Sequence, residues 1–280
     1  MTIDAHHHLW TYSDAEYPWM RDGPGGDRKR PLREDYGPAE LAEVTGGVGV
    51  TGTVAVQARQ SVEETDWLLS LADGAELIKG VVGWAPLASE EIGDVLDRWA
   101  GRNALKGVRH VVQDEPDGFL DDPAFNRGVG QLHAKGLVYD ILIYPRQLAE
   151  ATRFVDRHPD TAFVLDHAAK PRIGDEFDAE WADLVAKLAE RPHVACKLSG
   201  LATEVRLEAW DADLLRPYVD VLLKSFGPAR LMWGSDWPVA LMATDYGRWF
   251  RASREVLSDL SGDERAAVFG GTAAGVYGLS

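Results

Sequence analysis

The chain has 280 residues, of which 45% are hydrophobic and 26% charged, a composition typical of a folded protein with a substantial core. Its net charge of −16 argues against nucleic acid or an anionic membrane surface as a partner. The single cysteine, Cys196, excludes an intramolecular disulfide and a cysteine-rich zinc site. Because the sequence shows no secretion signal and no apolar segment of about 20 residues, we expect a cytoplasmic protein.

Short apolar runs rich in β-branched residues recur along the chain and predict eight strands. From the second run onward, successive runs begin about 25 to 36 residues apart, and the sequence between them has helical periodicity. In chain order the runs are TIDAHHHL, GTVAVQA, IKGVVGWAPL, LKGVRHVV, LVYDILIY, AFVLDHAAKP, VACKLSGL and RLMWGSDWPV.

Alternating strands and helices of this number predict a (β/α)₈ barrel, an α/β fold in which residues 1–280 form a single domain. A doubly wound sheet is the alternative, but it usually has fewer strands and a glycine-rich loop after the first. Two segments interrupt the alternation. Residues 11–36 predict a long loop after the first strand, and the C-terminal sequence SGDERAAVFGGTAAGVYGL predicts a helical extension made of one more helix and a closing turn.

Polar residues are concentrated where the predicted strands end. Since a barrel of this kind assembles its chemistry at the carboxyl ends of its strands, these residues are candidates for a functional site. They are His6, His7 and His8 on strand one, Gln57 and Arg59 on strand two, Arg109 and His110 on strand four, Asp166 and His167 on strand six, Lys197 on strand seven and Asp236 on strand eight.

The three consecutive histidines are not equivalent if strand one is regular. Alternation puts His6 and His8 on one face together with Asp4, while His7 points the other way. Two imidazoles two residues apart can approach one metal ion or one substrate from the same wall. Strand-like sequence on both sides argues against a purification tag.

The same alternation places further polar residues toward the barrel interior, above small or apolar residues of the same face. Arg109 and His110 cannot both face inward, so one of them is expected to contact the helix layer. The inward sets are His167 with Leu165 and Phe163, Lys197 with Ala195, and Asp236 with Gly234 and Met232.

Six blocks of sequence together resemble the lactonase branch of the amidohydrolase superfamily, the amidohydrolase-2 group, which includes sugar lactonases acting on L-fucono- and L-rhamnono-lactones. The blocks are IDAHHHLW, VVGWAPL, LKGVRHVVQDEPD, VLDHAAKP, CKLSGL and WGSDWPV. The resemblance implies that His6, His8, His167 and Asp236 form the catalytic set, with Asp236 accepting a proton from the attacking water. Because strand four offers no lysine to bridge two metals, these four residues are expected to hold one zinc ion or to act without metal.

The resemblance also implies that Arg109 and Lys197 bind substrate, and we add His110 and Gln57 to that set as groups able to hold an oxyanion or substrate hydroxyls. Trp10, Trp84 and Trp237 lie near strand ends, where their flat faces suit a sugar ring. We therefore expect a hydrolase that opens a neutral sugar lactone to its acid.

Three other readings stay open at this point. The barrel could bind a dianionic pyrone, act as a metal-dependent decarboxylase or another amidohydrolase-2 hydrolase, or bind a small molecule without converting it. A serine nucleophile is disfavoured because the chain has no Gly-x-Ser-x-Gly sequence, and no nucleotide-binding glycine loop is present. The sugar, its ring size and the oligomeric state are not specified by these patterns.

Overall fold

The computed structural model describes residues 1–21, 26–174, 176–207 and 209–280. Eight parallel strands form one sheet in which every strand pairs with the next along the chain. The first and last strands meet through Asp236 N–H, which donates to the carbonyl of His6 at 2.8 Å, and His8 N–H, which donates to that of Trp237 at 2.7 Å. The strands are β1 (Ile3–His7), β2 (Gly52–Val56), β3 (Ile78–Gly83), β4 (Leu105–His110), β5 (Val138–Ile141), β6 (Phe163–Leu165), β7 (Val194–Leu198) and β8 (Leu231–Trp233). The predicted (β/α)₈ barrel is thereby confirmed.

Helices surround the strands, and several begin where the sequence supplies a capping side chain. The side chains of Ser61, Asp122, Asp178, Asp211 and Asp245 each accept a hydrogen bond from a backbone N–H of the first turn, which satisfies a donor that the helix itself leaves free. The helices are α1 (Pro38–Gly46), α2 (Val62–Gly74), α3 (Ile92–Arg98), α4 (Pro123–Val129), α5 (Leu148–Asp156), α6 (Ala179–Ala189), α7 (Ala212–Phe226), α8 (Tyr246–Val256), α9 (Gly262–Ala266) and α10 (Thr272–Tyr277).

Two apolar layers hold the barrel together. The larger layer lies between the strands and the helices. The smaller fills the amino end of the barrel interior, where α10 closes it with Tyr277. The strand residues of this inner layer are Ile3, Ala5, Val54, Val56, Val82, Val138, Val164, Ala195 and Met232.

The C-terminal extension differs from its prediction. One helix and a turn were expected, but two short helices, α9 and α10, are joined by a π-helical segment, Ala267–Gly271. Gly270 allows this arrangement, because a Cβ at that position would lie 2.5 Å from the carbonyl oxygen of Met1. No helix in the described part of the chain is both long and apolar enough to cross a membrane.

The predicted loop of residues 11–36 lies at the carboxyl end of the barrel. Its described parts contain two 3₁₀ turns, Pro18–Met20 and Gly26–Leu32, while the part of the prediction that covers residues 22–25 lies outside the described residues. Trp10 and Tyr36 exchange two backbone hydrogen bonds, which bring the two ends of the loop together.

Candidate active site

Four of the predicted site residues converge at the carboxyl end of the barrel. Asp236 Oδ1 lies 3.4 Å from His8 Nε2, 3.8 Å from His6 Nε2 and 3.8 Å from His167 Nε2. The Nε2 atoms of His6 and His8 are 3.2 Å apart, and all four side chains are buried. The polar ends of β1, β6 and β8 therefore meet in one compact cluster.

β1 brings His6 and His8 together on one face, as alternation predicts, but departs from regular alternation before them. The pairing register with β2 shifts between Asp4 and His7, so one extra residue is accommodated there. His7 points away from the cluster, as alternation predicts, with Nε2 3.0 Å from Thr53 Oγ1. The prediction that Asp4 shares the face of His6 is wrong, because the Asp4 carboxylate accepts a hydrogen bond from Tyr246 of α8 at 2.9 Å.

His167 reaches the cluster by a route that strand alternation did not predict. β6 ends at Leu165, and both Leu165 and Phe163 face the helix layer, whereas Val164 faces the interior. The inward prediction for Leu165 and Phe163 is therefore wrong. His167 turns inward because the backbone beyond the strand adopts the left-handed conformation, with a φ of 50° at His167.

Left-handed backbone at non-glycine residues is confined to this site in the described part of the chain. The five residues are His167, Ala168, Ala169, Lys170 and Asp236, with φ between 50° and 58°. Left-handed helical backbone costs roughly 1–2 kcal/mol per L-residue, and such strain persists at functional sites because the surrounding structure imposes it. The turn after β6 and the turn after β8 are thus held in place by their neighbours.

The donor atoms of the cluster fit a tetrahedral metal. For bonds of about 2.0–2.1 Å, the ligand atoms of a tetrahedral zinc ion lie about 3.3–3.4 Å apart, close to the 3.2–3.8 Å separations found here. His6, His167 and Asp236 form the group of described residues whose atoms all lie within 4.8 Å of one another. His8 lies beside two members of this group, and because its Nδ1 donates to the carbonyl of Val56 at 2.8 Å, its Nε2 lone pair faces them.

Electrostatics favour neutral His6 and His167 side chains beside an ionised Asp236 carboxylate. Burial lowers the pKa of His167 to about 4, and burial together with the Lys197 ammonium lowers the pKa of His6 well below its ordinary value. Burial alone would raise the pKa of Asp236, but His167 and His8 outweigh it and hold that pKa below its ordinary value. The cluster therefore offers lone pairs and one negative charge to a cation or to water.

Beneath the cluster lies a layer of buried charged residues that we call the charged floor, made of Arg109, Asp140, Asp166 and Lys197. Lys197 Nζ lies 2.5 Å from Asp140 Oδ2, 3.0 Å from Asp166 Oδ1 and 3.2 Å from His6 Nδ1. Two cations balance two carboxylates in this floor, which compensates part of the cost of burying them.

Arg109 connects the charged floor to the cluster. Its Nη1 lies 3.0 Å from Asp166 Oδ2 and 3.3 Å from His6 Nε2, and its Nη2 donates to the carbonyl of Gln57. Burial raises the pKa of Asp166, but Lys197, His6 and Arg109 outweigh it and hold the pKa well below its ordinary value. Lys197 and Arg109 therefore fix the position of His6, and Lys197 is fully buried below it.

A cavity of about 610 Å³ opens above the cluster. This volume is typical of a site for a small organic ligand. Of the residues predicted to act on or bind substrate, four line it: His8, Arg109, His167 and Asp236.

Six other residues of the predicted catalytic and substrate-binding sets lie outside the lining of this cavity. One of them is His6, which is fully buried within the cluster. Lys197 is below it, as described. His110 faces the helix layer, opposite to Arg109, where its ring stacks on Phe119 and its Nε2 lies 2.8 Å from Glu115 Oε1. Trp84 donates from Nε1 to His110 Nδ1 at 3.3 Å, so both lie away from the cluster.

Trp10 and Gln57 are buried in supporting positions rather than in the cavity wall. Trp10 Nε1 donates to the carbonyls of Leu32 and Glu34, which anchors the long loop. Gln57 contributes its backbone carbonyl to Arg109, and its side-chain amide has no partner in the described part of the chain. These residues were predicted to bind substrate from their positions near strand ends alone, and such positions do not show where each side chain points.

Several cavity residues were missing from the predicted catalytic and substrate-binding sets because they lie in loops, where no periodicity reveals them. Arg59 had been named at the end of strand two but was given no role. Trp19 Nε1, Arg59 Nε and Gln113 Oε1 are buried polar atoms without a partner among the described residues, so they are available to a ligand. Tyr144 and Lys170 complete this set of missed residues. The motif VLDHAAKP contained Lys170, and the predicted strand LVYDILIY ended at Tyr144.

Comparison with known proteins is consistent with this architecture. The family model described as "Amidohydrolase" matches residues 3–279. The chain belongs to the amidohydrolase family. It is 42% identical to an L-fucono-1,5-lactonase from Burkholderia multivorans, over 100% of this chain and 96% of that protein. It is 36% identical to an L-fucono-1,5-lactonase from Burkholderia ambifaria, over 98% and 94%.

A solved structure of an amidohydrolase from Burkholderia multivorans with bound zinc superposes with a TM-score of 0.94. The two chains are 41% identical and each is covered completely. Since His6, His167 and Asp236 bring three donor atoms within 4.8 Å of one another, this member of the amidohydrolase family has a site that can hold a divalent metal.

Proposed function

We propose that this amidohydrolase opens a sugar lactone to the sugar acid by attack of water on the lactone carbonyl, with Asp236 as the general base. The observation that supports this most directly is the ionised Asp236 carboxylate, which lies among three imidazoles at the inner end of a cavity of about 610 Å³. Full-length similarity to two L-fucono-1,5-lactonases makes L-fucono-1,5-lactone the first substrate to test.

The proposed reaction requires a base, a group that orients water and a way to stabilise the oxyanion. Asp236 takes a proton from water while the water oxygen bonds to the carbonyl carbon. The electron pair of the carbonyl double bond moves to the carbonyl oxygen, which gives a tetrahedral intermediate. When this tetrahedral intermediate collapses, the bond to the ring oxygen breaks and that oxygen takes the proton back from Asp236. His8 Nε2, 3.4 Å from Asp236 Oδ1, is placed to orient the water.

His6, His167 and Asp236, with His8, would hold a divalent cation if one binds. Such an ion would polarise the lactone carbonyl or acidify the attacking water. The charged floor fixes His6 in either case, since Lys197 and Arg109 contact its two ring nitrogens. The arrangement therefore supports both a metal-assisted and a metal-independent reaction.

The cavity lining suits a neutral polyhydroxylated ligand. Trp19 and Tyr144 present aromatic rings, and Trp19 Nε1 and Gln113 Oε1 offer one donor and one acceptor. Sugar hydroxyls both donate and accept hydrogen bonds, and the C–H faces of a sugar ring pack against aromatic rings.

A cytoplasmic location remains a prediction, supported by the single cysteine, Cys196.

A panel of aldono-lactones followed by proton release tests the proposal. We expect acid release from L-fucono-1,5-lactone well above the uncatalysed rate. The same assay after chelation decides between the metal-assisted and the metal-independent reaction. Metal content is measured in the same sample. Thermal stabilisation by a lactone or its acid without any acid release would show a binding protein and contradict the proposal.

A further inference from the structure

Lys170 lies in the wall of the active-site cavity, in the same turn as His167. Its backbone N–H donates to the carbonyl of His167 at 2.8 Å, which closes a left-handed turn. Its side chain is partly buried, and Nζ lies 5.5 Å from the centre of the Tyr144 ring. That contact orients the ammonium group without neutralising its charge.

The backbone of Lys170 is held in an unfavourable conformation. Its φ is 55° and its ψ is 66°, although the following residue, Pro171, favours extended backbone at the position before it. The left-handed backbone runs without interruption from His167 through Lys170. A strained backbone that points a charged side chain into a cavity is typical of a functional residue.

Lys170 also differs from the other cations of the cavity. Arg59 is paired with Glu16, Arg109 with Asp166, and Lys29 donates to the carbonyl of Trp19 at 2.6 Å. Within residues 1–21, 26–174, 176–207 and 209–280, the Lys170 ammonium has no hydrogen bond or ion pair. Its charge is therefore available to a ligand.

We propose that Lys170 is a catalytic residue whose ammonium group binds the lactone carbonyl oxygen as that oxygen gains negative charge. The inference rests on the proposed function. As water adds to the carbonyl carbon, the electron pair of the carbonyl bond moves to oxygen, and the Lys170 N–H groups donate to it. When the ring C–O bond breaks, the same oxygen becomes part of the product carboxylate, which the ammonium continues to bind until release.

Kinetics of Lys170→Met test this role. Because the charge develops only after the neutral substrate has bound, we expect kcat to fall about 10²- to 10³-fold while KM changes little. Lys170→Arg keeps the positive charge and should recover part of the lost kcat. Lys187→Met, which removes an exposed charge on α6 away from the cavity, is the matched control and should leave both constants unchanged.

Ligand binding gives a second readout that does not depend on turnover. Calorimetry with L-fuconate, the carboxylate product, and with L-fucitol, the neutral polyol of the same carbon chain, separates charge recognition from hydroxyl recognition. Lys170→Met should lose at least tenfold in affinity for L-fuconate and keep its affinity for L-fucitol.

Two results would overturn the role of Lys170: an unchanged kcat in a folded Lys170→Met protein, or equal losses of affinity for the acid and the polyol. A wild-type protein that hydrolyses no lactone would contradict the proposed function instead. In that case, selective loss of L-fuconate binding in Lys170→Met would still identify Lys170 as a carboxylate-binding residue.

Discussion

The two ends of the barrel interior are built from opposite kinds of side chain. At the amino end, aliphatic residues such as Ile3, Val54 and Val82 fill the interior and Tyr277 of α10 closes it. At the carboxyl end, buried imidazoles and carboxylates occupy the same interior above the charged floor. The comparison shows that apolar packing fills one end of the interior, while the costly burial of its ionisable groups lies at the end that holds the cavity.

Tyr277 links the two ends. Its hydroxyl lies 2.9 Å from both carboxylate oxygens of Asp140, which in turn contacts Lys197 below His6. A residue of the C-terminal helix therefore supports the charged floor from the apolar side.

We expect the largest effect on kcat at His6 and almost none at its neighbour His7 in β1. His6→Ala should lower kcat about 10²- to 10⁴-fold, because His6 lies in the cluster around Asp236. His7→Ala should keep a near-wild-type kcat, since His7 faces Thr53 on the other side of the strand. Steady-state kinetics of the two folded variants check this, and similar losses in both would contradict the placement of His6 and His7.

For the charged floor we expect a substitution to lower the stability of the protein, because its residues support the cluster and do not react with substrate. Lys197→Met leaves Asp140 and Asp166 with one buried cation instead of two, so the free energy of unfolding should fall by about 3–5 kcal/mol. Urea denaturation measures this. The double variant with Asp140→Asn restores the charge balance and should recover part of the loss, whereas a double variant less stable than Lys197→Met would argue against a balanced floor.

At the apolar end of the barrel we expect the smallest change in the free energy of unfolding. Ile3→Val removes one methylene from the inner layer and should lower the free energy of unfolding by about 0.5–1.5 kcal/mol. The kcat per folded molecule should stay unchanged, because the side chain lies on the amino side of the cluster. A clear decrease in kcat would show that the two ends are more tightly coupled than their packing indicates.

Much of this architecture could be predicted from the sequence. Spacing and periodicity predicted all eight strands and the surrounding helices, because each βα unit repeats the same alternation of apolar patterns. Alternation also predicted that His7 and His6 point to opposite sides. It was wrong for Asp4 and for the residues below His167, because a register shift in β1 and a left-handed turn after β6 break the two-residue period.

The cavity wall was harder to predict than the cluster. Trp19 and Gln113 lie in loops, so no strand or helix pattern indicates where their side chains point. Lys197, predicted to bind substrate, instead completes a charge network whose partners, Asp140 and Asp166, come from strands five and six. Pairing across such sequence distances becomes visible only in the folded barrel.

The central claim, that Asp236 is the base of a lactone-opening reaction, is tested most directly by Asp236→Asn. This change keeps the shape of the side chain and removes its negative charge. In a proton-release assay with L-fucono-1,5-lactone, kcat should fall about 10²- to 10⁴-fold while circular dichroism shows an intact fold. Turnover close to that of the wild type would contradict the role of Asp236.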